Sequence, residues 1–150
     1  MSQLLGKKRL RIQAILESEA NESGAVALGI ILACHGRHVS LTQLKNDCGI
    51  TRDGTTVAKI LVAAEMNGLV CEKHNNVDPE GLSVYDKQGQ LPAIIVSSNN
   101  RFSVLVRCLS DELEVFDTAR GFRRWRLGEH RIEQVLVLQP GPDFVAAGHP

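Results

Sequence analysis

Residues Ala25 to Cys34 form a run in which only glycine interrupts the apolar side chains. A helix that is apolar all round has no face to turn toward water, so it has to be surrounded by other elements. The run is about half the ~20 residues that a bilayer crossing requires, which makes it the central helix of a globular core. Asn21 or Ser23 is expected to cap its start and Gly36 to stop it. Two more helices follow from local signals. Ser40-Leu41-Thr42-Gln43 matches a capping box and opens a short helix that ends by Gly49. Thr55 to Asn67 places Val57, Ile60, Leu61 and Ala64 on one face before Gly68.

Beyond residue 68 the pattern changes. Leu69 to Lys73, Ala93 to Val96, Phe102 to Cys108, Leu113 to Phe116, Gly121 to Leu127 and Val135 to Leu138 are short, rich in valine, leucine and isoleucine, and separated by polar or glycine-containing links. Gly128 to Gln134 reads as one further short helix. Helices first and strands afterwards define an α+β domain, an N-terminal helical lobe on a C-terminal antiparallel sheet. The 150 residues suit one domain. Residues 1–9 and 140–150, basic at one end and rich in proline and glycine at the other, read as flexible ends or a linker.

Seventeen basic and seventeen acidic residues cancel, which argues against a protein whose affinity comes from neutralising nucleic-acid phosphates. The N-terminus has no long hydrophobic region and no small-residue cleavage site, so a reducing, cytoplasmic setting is expected. Cys34, Cys48, Cys71 and Cys108 are scattered and are read as free thiols. Cys34, His35, His38, Cys71 and His74 suggest a metal site only weakly, because Cys71 and His74 fall on opposite faces of a strand. In the basic stretch Arg120, Arg123, Arg124 and Arg126 around Trp125, three of the four share even spacing and read as the solvated face of a strand, with Trp125 pointing inward.

Helix N-termini offer unpaired N–H groups and partial positive charge, so Ser23 stands where nucleophiles and oxyanion sites are often built. The simpler reading is an N-cap. His35, twelve residues along the same helix, is about 18 Å away by the helical rise and cannot serve Ser23 as a base.

Several ordered blocks carry a more specific resemblance. Leu16 to Ala25 followed by Gly29-Ile30-Ile31-Leu32-Ala33-Cys34-His35-Gly36, then Thr51-Arg52-Asp53-Gly54-Thr55-Thr56, Leu91-Pro92-Ala93-Ile94-Ile95, Asn99-Asn100-Arg101-Phe102-Ser103-Val104-Leu105, Phe116-Asp117-Thr118-Ala119-Arg120-Gly121 and Leu138 to Phe144 appear in order. Together they resemble the papain-like, bacteriocin-processing cysteine peptidase domain at the N-terminus of certain ABC exporters. The ending is most similar to exporters of peptides with nitrile-hydratase-like leaders.

The resemblance implies a papain-like fold and a role with the leader of a precursor peptide, typically ending in a double-glycine-type motif. It further implies transmembrane and ATPase parts downstream, with ATP bound there and no cofactor in this domain. The site departs from the family's pattern. Ser23 stands at the position of the nucleophilic Cys, Arg101 at that of the His base and Glu17 at that of the oxyanion Gln, while Asp117 keeps the position that orients the His. A guanidinium has no lone pair with which to accept a proton, and a carboxylate repels a developing oxyanion. The expectation is therefore a catalytically inactive domain that binds or tethers a leader on the cytoplasmic face of the membrane, with Arg101 paired to Asp117 and Glu17. The alternative is an active peptidase, with Ser23 as the nucleophile or as an engineered replacement for Cys.

Overall fold

The computed structural model describes residues 20–75 and 77–148. Three helices come first: α1 (Ser23–Cys34), α2 (Leu41–Asp47) and α3 (Val57–Met66). Their boundaries follow the local chemistry. The Ser40 and Thr56 hydroxyls accept hydrogen bonds from Gln43 N and Lys59 N, capping α2 and α3. Gly36, with φ of 92°, turns the chain after α1. Every residue of α1 is buried, as its all-round apolar character requires.

Six strands follow: β1 (Leu69–Asn75), β2 (Ala93–Ser97), β3 (Arg101–Cys108), β4 (Glu112–Asp117), β5 (Gly121–Arg126) and β6 (Ile132–Pro140). They form one antiparallel sheet in the order β1-β6-β2-β3-β4-β5. A 3-10 turn, Pro79–Leu82, and the five-residue helix α4 (Ser83–Lys87) lie between β1 and β2.

The sheet is buried on both faces. Ile94, Val96, Val104, Leu136 and Leu138 join α1 and the other helices in one core, while Ala93, Ile95, Leu105, Val135 and Val137 pack with Leu82 and Trp125 on the other face. This double burial explains why the central strands read as continuous apolar runs. Among the described residues no helix is long and apolar enough to cross a membrane.

Two expectations are corrected here. Gly128 to Gln134 is a turn leading into β6, because Ile132 and Gln134 are drawn into pairing with β2. The segment after β6, expected to be a flexible end, is packed in its described part. Gly141 N donates to Gly68 O, His38 N to Ala147 O and Ala147 N to Gly36 O. Phe144 adds its ring to the helical core. Residues 1–9 lie outside the described residues.

Candidate functional site

The site begins where α1 meets β3. A 3-10 turn, Ala20–Glu22, runs directly into α1, so the residue preceding the helix is Glu22, which makes no side-chain cap bond. Ser23 is already inside the first turn. The residue is 5% exposed, and its hydroxyl accepts a hydrogen bond from Phe102 N at 3.3 Å. The expected N-cap role of Ser23 is thus corrected: the added turn moves the hydroxyl from the helix end toward the sheet, where it ties α1 to β3. Glu22 is buried beside it and paired with Lys45 Nζ at 2.7 Å, the arrangement a buried carboxylate requires.

The opposite wall comes from the sheet. Asn100 adopts φ of 58°, a left-handed conformation uncommon for a residue with a side chain. Its amide donates to Thr55 O, which fixes the turn entering β3 to the loop before α3. Arg101 opens β3 and Asp117 closes β4, and the antiparallel pairing of these strands brings them together. Arg101 Nη2 lies 3.4 Å from Asp117 Oδ1 and 3.4 Å from Thr118 Oγ1. Asp117 Oδ1 also accepts Ala119 N–H at 2.9 Å, which holds the carboxylate in place.

Ser23, Arg101 and Asp117 share one cleft of about 430 Å³. Glu17, the remaining predicted site residue, lies outside the described residues. The same cleft is lined by Asp53, Trp125 and His130, which the sequence did not single out for the site. The signal for Asp53 was its place in the Thr51–Thr56 block, and Trp125 was read only as a core residue. His130 carried no signal, since the turn after β5 brings it in. Its ring stacks on Trp125 with centroids 3.9 Å apart, and its Nε2 lies 3.2 Å from Glu129 Oε1. His35 sits at the far end of α1, edge-on to Phe144.

The thiols have a different environment. Burial, assisted by Asp47, pushes Cys48 from the ordinary 9.0 up to about 12. Burial also raises Cys71 and Cys108 to about 11, with Glu65 and Asp86 contributing. Such thiols are poor nucleophiles at neutral pH, and Cys34 stands at the opposite end of α1 from Ser23. Among the described residues no three His, Cys, Asp or Glu side chains gather as a metal site would need.

A buried helix whose start faces a cleft and which packs on an antiparallel sheet is the layout of a papain-like peptidase domain. A sequence model of the Peptidase C39 family matches residues 11–130, and the chain belongs to that family. The probable microcin-H47 secretion/processing ATP-binding protein MchF of Escherichia coli is 28% identical over 152 residues, which cover 97% of this chain and 21% of that protein. The chain thus spans about a fifth of that relative's length.

Among solved structures, a double glycine motif protease from an AMS/PCAT transporter, in complex with the leader peptide, is 32% identical with a TM-score of 0.76, over 84% of this chain and 89% of that one. The peptidase domain of Streptococcus ComA shares the fold at 17% identity and a TM-score of 0.71, over 84% and 96% of the two chains.

Proposed function

We propose that this is a catalytically inactive peptidase-like domain of a bacterial peptide exporter, which holds the leader of a precursor peptide without cutting it. The observation that carries this reading is the Arg101–Asp117 pair at 3.4 Å in the cleft that contains Ser23. Hydrolysis by a serine needs a neighbour that accepts its proton. Arg101 keeps its own proton at any physiological pH and directs its donors at Asp117 and Thr118. The retained acid therefore orients a cation rather than a base. A cleft walled by Trp125 and by polar groups is still suited to an extended peptide backbone.

In this reading residues 1–150 form a single peptidase-like domain, and 140–150 lead toward membrane and ATPase parts, where ATP binds. The domain then sits at the cytoplasmic face of the inner membrane. The secretion/processing and ATP-binding description of the E. coli relative and the leader peptide bound to the AMS/PCAT protease favour this assignment.

The test is incubation of the chain with synthetic precursor peptides whose leaders end in Gly-Gly, followed by mass spectrometry, alongside a binding titration. Saturable binding with intact peptide is expected. Cleavage by the unaltered chain favours the active-peptidase alternative. Absence of saturable binding up to about 1 mM, near 4 kcal/mol of affinity, overturns the leader-holding role.

A further inference from the structure

Beside the cleft lies a second cavity of about 1010 Å³, which the reading above does not use. Its walls are the turn 128–131, the start of β6 and residues 77–79. The two hollows are neighbours. The pairing of β2 with β6 sets Ser97, in the wall of the cleft, opposite Ile132, in the wall of the second cavity. Among the described residues His130 alone lines both. Its imidazole lies on the Trp125 indole, with centroids 3.9 Å apart and ring planes 28° from parallel.

The two halves of this stack are held unequally. Trp125 is 9% exposed, pairs with Leu113 across β4 and β5, and belongs to the core of that face. His130 stands in the turn with its side chain 43% exposed. Its contact with Glu129 at 3.2 Å joins two surface side chains, and such pairs hold weakly. An exposed side chain changes rotamer readily, so the imidazole can swing aside while the indole stays in place. What it uncovers is an aromatic face where the two hollows meet.

We propose that the peptide site continues past the cleft, across the face of Trp125, into the second cavity, and that His130 is a displaceable cover on this path. This rests on the reading that the cleft holds a peptide, and it adds the route of the stretch that the cleft cannot contain. Two features select a polypeptide. The cleft, at about 430 Å³, has the size of a small-molecule site, so an occupant that fills both hollows has to be a long, narrow chain. Asp78, Arg131 and Glu133 around the second cavity are exposed and make no ion pair among the described residues, so groups of both charges meet an arriving chain, while the indole supplies apolar contact at the crossing.

The experiment compares two synthetic peptides by calorimetric titration. One is short and centred on Gly-Gly, and the other is extended by about ten residues on each side, or roughly 30 Å of extended chain. The proteins are the unaltered chain, His130→Ala, and two variants that plug the second cavity from different walls, Glu133→Phe and Asp78→Phe. Circular dichroism establishes which variants are folded, and either plug suffices. The long peptide is expected to bind the unaltered chain about tenfold or more tightly than the short one. A plug should remove that gain and leave the short peptide's affinity as it was. His130→Ala should tighten the long peptide by about threefold to tenfold, since no stacked ring has to be displaced. Trp125 is the chain's only tryptophan, so its emission should change when the long peptide binds. Equal affinity for the two peptides overturns the extended path and leaves the leader-holding role standing. A gain that persists in a folded plugged variant, or unchanged Trp125 emission at saturation with the long peptide, overturns the path as well. Failure of both peptides to bind overturns the two readings together.

Discussion

If the cleft is silent because the proton acceptor is missing, activity should return in a fixed order as its parts are restored. The perturbation is a series: Ser23→Cys, then Ser23→Cys with Arg101→His, then both with Glu17→Gln. Ser23→Cys alone places a thiol in the first turn of α1, where the helix end favours the thiolate. It should be alkylated readily yet cleave nothing, because Arg101 can neither take nor return a proton. Adding Arg101→His puts an imidazole next to Asp117, whose carboxylate is already held by Ala119 N–H at 2.9 Å.

A positioned acid–base group is worth roughly 10²–10⁴ in rate. Glu17→Gln should then add roughly 10²–10³ by replacing a repelling carboxylate with an amide donor. The series thus spans roughly 10⁴–10⁷ between its first and last members. Single-turnover cleavage of a Gly-Gly leader peptide, followed by mass spectrometry, resolves that range. Turnover by Ser23→Cys alone at the rate of the triple variant refutes the argument, since Arg101 would then be no obstacle.

Three further outcomes follow from the packing. The Cys48 thiol is pushed up on folding, so the stability it contributes is complete below the ordinary value of 9.0 and is lost as pH rises toward about 12, a range worth at most about 4 kcal/mol. Urea unfolding should show a fall of about 2 kcal/mol between about pH 9 and pH 10.5, smaller in Cys48→Ala, and a flat profile contradicts the burial argument. Gly24→Ala should destabilise by about 1–3 kcal/mol, because a Cβ there meets Ile60 Cδ1 and Thr55 Cγ2, each at 2.8 Å, and an unchanged melting temperature would show that the contact of α1 with α3 yields easily. Gly68→Ala should loosen the segment after β6, since Gly68 has φ of 89° and its Cβ would stand 2.6 Å from Phe144 Cα. Limited proteolysis within residues 141–148 should accelerate, and an unchanged cutting rate would mean the segment does not depend on that approach.

What could be read from the chain alone divides by the range of the interaction that decides each feature. The helices were legible because Ser40, Thr56 and Gly36 act within one turn of their own backbone. The strands were legible because both faces of the central ones are buried, which requires unbroken apolar runs. Features that failed depend on distant partners. Ile132 is drawn into the sheet by β2, far back in the chain, so the polar turn before it looked helical. The glycines and prolines after β6 looked like a flexible end, and only Phe144 hinted that the segment has a place to pack. Ser23 is the instructive case. Its local context describes a cap equally well, and the bond that redefines it comes from Phe102, 79 residues away.

The Arg101–Asp117 pair shows the same limit at the site itself. Neither residue carries a signal of the other, and their meeting depends on adjacent antiparallel strands. Aligned blocks supplied the positions, and the fold supplied the contact. Here Asp117 faces the Arg101 cation and accepts Ala119 N–H. The contact holds β3 to the end of β4 beside the cleft. Arg101→Ala should therefore lower stability without changing cleavage, and Asp117→Asn should do the same to a smaller degree. A partly buried pair at 3.4 Å that still reaches solvent is worth at most about 1 kcal/mol. A double-mutant cycle read by urea unfolding, with no coupling between the two positions, would show that the acid is kept for something other than its contact with Arg101.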